Sequence, residues 1–251
     1  MLRGFLDNDS IFGQIMLRCW AIIACNLCFV ITMLPIVTAG AGWAAMDYAL
    51  MNTLKNKDSA APFRDFWKGF LMNFKQATIS WLAGLALLVF LGMEWYWCRQ
   101  FGGVFAYFAI GVMVIAVLVL TVLIHLFPTM AALEATIPQL IRNSIYFAFK
   151  NPLHLIIILF IHVVPMALTY RNLQMLPMYA FFWCFFGFGA VSLITVNLLL
   201  PEYMPYLKKN EKPAKKDDGE GFSFRFDDDE EGKKDRKSEA EILEDMQKLG
   251  M

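Results

Sequence analysis

The sequence predicts an all-α, polytopic helical membrane protein, and three observations carry that expectation. Five long stretches lack Asp, Glu, Lys and Arg: the 28 residues between Arg18 and Asp47, then Gln76–Met93, Gln100–Leu133, Asn151–Tyr170 and Asn172–Pro201. A hydrocarbon core takes roughly 20 apolar residues of helix to cross. The chain is 58% hydrophobic with a mean hydropathy of +0.50, above the level of a soluble domain. The zero net charge hides a division: Met1–Leu207 holds 11 basic and 8 acidic residues, Lys208–Met251 11 and 14. The expected organisation is a membrane domain over 1–207 and a charged cytoplasmic tail over 208–251.

Spans are expected near 19–39, 76–96, 104–127, 153–170 and 178–200. The first apolar run, Cys19–Leu34 followed by Pro35 and Ala39-Gly-Ala41, has the look of a secretion signal. Asp7 and Asp9 in its long leading segment argue against cleavage. Arg99-Gln-Phe-Gly-Gly103 is a tight turn that makes the second and third spans antiparallel neighbours, and Arg171–Pro177 joins the fourth to the fifth. Leu34-Pro35, Phe127-Pro128 and Leu200-Pro201 are read as exits from the membrane, where proline bends the chain.

Five spans place the two termini on opposite sides. With the N-terminus outside, the outer segments hold four Lys and Arg residues and the inner ones, tail included, hold 18. The excess of positive charge inside favours an outer N-terminus and a cytoplasmic C-terminus in the cell membrane. Trp95-Tyr-Trp97 then sits at the outer interface.

The cytoplasmic stretch Gly42–Lys75 contains an amphipathic segment. Phe63, Phe66, Trp67, Phe70, Leu71 and Phe74 fall on one helical face, with Arg64, Asp65 and Lys68 off it. The stripe Phe63, Phe66, Trp67, Phe70, Phe74 with Lys75 is the candidate partner surface, against the plainer reading that it lies in the lipid interface. Leu133–Lys150 resembles it. Each ends in Phe-Lys before a span, a faint repeat of the kind that marks duplicated transporters.

Ionisable and amide side chains at membrane depth are costly, so each is a functional candidate. They are Asn26, Glu94, His125, His162 and Asn197. Glu94 stands beside the aromatic run and reads as interfacial. His125 and His162 each stand three residues before a proline, where an imidazole N–H serves local backbone groups. Asn26 and Asn197 read as interhelical hydrogen-bonding residues, worth ~0.6 kcal/mol each. The three histidines have no carboxylate at ligand spacing, and no metal or other cofactor is expected. Cys25-x-x-Cys28 lies in an apolar helix and reads as packing, and the odd count of five cysteines does not form a disulfide framework. Phosphate-loop, hydrolase and zinc-protease signatures are absent, so an enzyme is not expected, and no basic patch invites nucleic acid.

In the tail, Glu211–Lys237 is too charged to fold alone. Phe222, Phe224 and Phe226 alternate as in an added strand. Ser238-x-x-Glu241 is a capping box ahead of the stripe Ile242, Leu243, Met246 and Leu249, a short docking helix.

Dispersed positions then carry a resemblance. Phe5, Asn8-Asp-Ser10 and Gly13 precede the first span. Asn26-Leu27 lies within it and Leu34-Pro-Ile-Val-Thr-Ala-Gly40 closes it. Phe66, Phe70, Asn73-Phe-Lys-Gln-Ala77 and Lys150-Asn-Pro152 follow. Over Met1–Leu207 the chain resembles the YesL family of small bacterial membrane proteins of unknown function. The resemblance implies a helper role in carbohydrate acquisition beside a sugar ABC transporter, and it supplies no catalytic residues. The expected function is thus a non-enzymatic accessory or assembly protein, with the lipid bilayer and another membrane protein, such as a sugar ABC permease, as partners. A small transporter or permease subunit acting as an oligomer is the alternative, and an intramembrane enzyme the third.

Overall fold

The computed structural model describes residues 11–55 and 61–207. The expectations for the tail and for the first ten residues lie outside the described residues. The described chain is helical throughout, with α1 (Ile11–Met33), α2 (Ala39–Lys55), α3 (Pro62–Phe101), α4 (Phe105–Ala132), α5 (Ile137–Lys150), α6 (Pro152–Arg171), α7 (Leu176–Phe182) and α8 (Phe188–Leu207). A single 3-10 turn, Leu173–Met175, precedes α7, and a π-helical turn, Trp183–Gly187, joins α7 to α8. Five helical stretches are long and apolar enough to cross a membrane: Gly13–Met33, Pro62–Phe101, Phe105–Ala132, Pro152–Arg171 and Leu176–Leu207.

The first of these starts and ends about six residues before the expected 19–39, because Pro35 has no N–H to continue the ladder. A turn over 34–38 follows, closed by Trp81 Nε1 donating to the Ile36 carbonyl at 2.9 Å. The chain then doubles back as α2. The sequence reading placed this segment in a cytoplasmic loop, and the structure corrects that. Twelve of the 17 residues of α2 are buried, and it lies between α1, α3, α4 and α8. Small residues make this possible. A Cβ on Gly40 would collide with Trp81 and stand 2.8 Å from the Ala77 carbonyl oxygen, so only glycine lets α2 and α3 approach this closely.

Helix α3 is continuous through the expected loop helix and the second span. Nothing in Asn73-Phe-Lys-Gln76 breaks it, whereas Asn151-Pro152 separates α5 from α6. The two halves of the faint repeat therefore differ in structure. Pro128 and Pro201 lie inside α4 and α8, so the helix continues past each of them. Helix α5 begins with a capping box between Thr136 and Gln139, which contributes about 1 kcal/mol.

Helix directions follow from paired contacts. Trp20 of α1 meets Phe63 at the start of α3, and the turn after α1 meets Trp81, so α1 and α3 run the same way. Helix α2 runs against both, with Asn52 on Asp65 at one end and Gly40 on Ala77 at the other. Helix α4 returns along α3, from Phe105 on Phe101 to Phe127 on Trp81. Helix α6 runs against α8, with His154 on Glu202 and Thr169 on Trp183. Helix α8 runs with α4: Ile124 packs near Val196 and Leu199, and Thr129 bonds Tyr203 at 3.1 Å. The bundle is thus traversed six times, and Ile11 and Leu207 lie at the same end. Helix α2 adds a sixth traverse of the bundle to those of the five membrane-capable stretches.

Candidate functional site

Expected site residues separate into those the bundle brings together and those it leaves outside. Glu94 is exposed on the C-terminal half of α3, and Asn197 is exposed on α8, so neither joins an interior site. Of the aromatic stripe on α3, Phe63, Trp67, Phe74 and Lys75 are exposed and Phe70 is half-buried. Phe66 is fully buried against Ala21 and Cys25 of α1 and Ala49 and Leu50 of α2. The stripe is therefore partly covered by the protein's own α1–α2 hairpin.

Asn26 is fully buried and spans a break in the fifth membrane-capable helix. Its Nδ2 donates to the Trp183 carbonyl at 3.0 Å and the Cys184 carbonyl at 2.6 Å, and its Oδ1 accepts from the Gly189 N–H at 2.7 Å. A π-helical turn carries one residue too many for the α-helical ladder, and such turns concentrate at functional sites. Here backbone groups at the turn take further hydrogen bonds from a side chain of a neighbouring helix. Gly189 permits this, because a Cβ there would stand 2.8 Å from the Ile22 carbonyl oxygen.

Next to this clamp is a small cavity of about 30 Å³, lined by Phe29, Trp43, Met46, His162, Trp183 and Phe188 among others. It has room for a water-sized guest. Trp43 stacks on His162 with ring centroids 5.8 Å apart, and Trp183 is fixed by Nε1 donating to Thr169 Oγ1 at 3.0 Å. His162 Nδ1 donates to the Ile158 carbonyl at 2.8 Å and His125 Nδ1 to the Thr121 carbonyl at 2.9 Å. Both imidazoles thus serve the carbonyl four residues back, one already in the helical ladder, and not the one that the nearby proline leaves free. His162 Nε2 is buried without a partner.

One turn past the cavity wall is Asp47, which sequence reasoning missed because its charge was taken as the end of the first span. It is 1% exposed. Ser192 Oγ donates to its Oδ1, and its Oδ2 has no partner. Helix α2 is not among the five membrane-capable stretches, yet it carries this carboxyl into the bundle with one hydroxyl as its hydrogen-bond partner. Two further carboxylates are buried, and both are better partnered. Asp65 accepts from Asn52 Nδ2 at 2.7 Å and has Arg64 Nε at 4.0 Å. Glu202 accepts from Asn151 Nδ2 and, at 2.9 Å, from His154 Nδ1. Glu202 was hidden in the sequence by its place after Pro201, at the expected end of the last span. Among the described residues no three His, Cys, Asp or Glu side chains converge as a metal site.

The fold and this interior define a class: an all-α, multi-pass membrane protein whose bundle encloses ionisable groups. The comparisons narrow it a little further. The family model described as a protein of unknown function, DUF624, matches residues 15–95, which hold nearly all of α1, all of α2 and α3 as far as Trp95. No curated protein and no solved structure matches the chain. The similarity thus falls on the hairpin that buries Asp47 and on its packing partner.

Proposed function

We propose that the protein is a non-enzymatic component of a solute-uptake system in the cell membrane, acting through contact with another membrane protein. The observation that supports this reading is an open groove of about 410 Å³ on the outside of the bundle. Its walls are aliphatic, from Leu118 and Val122 of α4 and Ile137, Ile141 and Ile145 of α5. Its α3 side offers Ile79, Ala83 and Leu87, while Ser80 and Gly84 are buried beneath them, Gly84 against Leu123 of α4. An aliphatic groove between helices accepts the side chains of another membrane helix by van der Waals packing. The resemblance to the YesL family suggests a sugar ABC permease as the partner. A test is Ala83→Trp combined with Ile141→Trp, which fills the groove. Membrane level should stay normal while a co-expressed permease no longer copurifies. An unchanged yield of permease sinks the reading.

Both ends of the membrane unit face the cytoplasm in this proposal. Seven of the nine Lys and Arg residues among the described ones belong to the end or half of the bundle where α3 begins, and only Arg99 and Arg171 to the other. Positive charge collects inside. An impermeant thiol reagent applied to intact cells, in a variant without native cysteines, should label Gln174→Cys and spare Asn8→Cys. Labelling at Asn8→Cys would restore the outer N-terminus.

A second reading, a small permease subunit acting as an oligomer, is favoured by Asp47, a buried carboxyl with no Lys or Arg beside it.

A further inference from the structure

The three buried carboxylates differ in one respect. Asp65 has an amide donor and a guanidinium within 4.0 Å, and Glu202 has an amide and an imidazole. Asp47 has a single hydroxyl. Among the described residues no Lys or Arg forms an ion pair with Asp47. The titratable groups on the helices around it are few. Helix α1 carries the buried thiols of Cys25 and Cys28, and α3 carries Asp65, already bonded. Helix α4 carries His125, bonded to its own backbone. Helix α6 carries His162, whose Nδ1 is committed to Ile158. Helix α8 carries Tyr203, whose hydroxyl shares a hydrogen bond with Thr129, and Glu202.

An isolated carboxylate so placed is far costlier than a neutral carboxyl. We propose that Asp47, with Ser192, is a proton-binding site in the bundle interior, occupied at neutral pH and emptied when the interior opens to base. The proton resides on the carboxyl and leaves to water, and no other bond changes. Oδ1 keeps the Ser192 hydroxyl in both forms, and Oδ2 is the oxygen without another partner. The site lies beside the clamped π-helical turn: Met46 and Val191, the residues before Asp47 and Ser192, both line the 30 Å³ cavity. The inference uses the interior alone and stands whether or not the outer groove takes a partner. It gives the second reading above its ligand, a proton.

The experiment is an infrared pH titration of the full chain in lipid nanodiscs. Wild-type protein should show a protonated-carboxyl carbonyl band at neutral pH that disappears on alkalinisation. The band should shift on labelling with carboxyl-13C aspartate and be missing in Asp47→Asn, which keeps the shape and a hydrogen bond to Ser192. Ser192→Ala should keep the band and move its midpoint up by about one pH unit, because the lost donor favoured the ionised form. Asp65→Asn, which removes the other buried aspartate among the described residues, should keep the band, and this assigns it to Asp47 even if Asp47→Asn fails to fold. No aspartate band at any pH would overturn the proposal, as would a band removed by sodium at constant pH, which would make an alkali cation the ligand.

Discussion

Asp47→Asn should flatten the pH dependence of stability. Buried with a single hydroxyl as its partner, the carboxyl keeps in the folded chain a proton that it releases once the unfolded chain exposes it to water. Stability therefore falls as pH rises, by at most ~1.4 kcal/mol per pH unit from this group. The sign is opposite to that of a salt-bridged aspartate, whose contribution is lost on acidification. In detergent, the thermal midpoint of Asp47→Asn should gain on wild type steadily as pH is raised from acid through neutrality. Titrating groups other than Asp47 act equally on both proteins and cancel in the difference. Parallel midpoint curves would show that Asp47 is ionised and stabilised by something other than a proton.

Why this carboxyl escaped the sequence is a matter of what periodicity and charge counting measure. The five membrane-capable helices were legible because each is a long apolar run bounded by charge or proline. Helix α2 is neither long nor strongly apolar. Its Ala39-Gly-Ala-Gly-Trp43 start reads as a loop or a signal cleavage region, and Asp47 reads as the far bank of a span. Its burial comes from close packing on α1 and α3, where small side chains matter more than hydrophobicity. Once α2 was read as a loop, the amphipathic start of α3 had to be a separate surface helix, and Phe66 appeared available to a partner. The topology followed the same path, since counting α2 as a pass changes the side on which the N-terminus is placed.

The polar residues were legible as residues but not as partners. Asn26 and Asn197 look equivalent in sequence, each an amide in an apolar run. Only the fold separates them: one is sealed between α1 and a π-helical turn, the other faces outward. Nothing in Trp183-Cys-Phe-Phe-Gly187 announces a π-turn, because its stability depends on the Asn26 side chain some 160 residues away in the chain.

That dependence gives the second large effect. Asn26→Leu should destabilise the bundle by about 2–3 kcal/mol, since three hydrogen bonds to backbone groups are lost at up to ~1 kcal/mol each. The Gly189 N–H loses its acceptor, and the Trp183 and Cys184 carbonyls lose a shared donor. Leucine restores none of them and adds bulk where Gly189 already approaches the Ile22 backbone closely. Asn197→Leu, on an exposed face, should change stability by less than about 0.5 kcal/mol. Thermal denaturation in detergent compares the two. Hydrogen exchange then localises the loss: amide protection in Asn26→Leu should fall first around 183–189, where the π-turn has lost its clamp, and remain near wild type in α3 and α4. Equal losses in the two asparagine variants, or a loss in Asn26→Leu spread evenly over the bundle, would mean that the amide packs the interior without holding the turn.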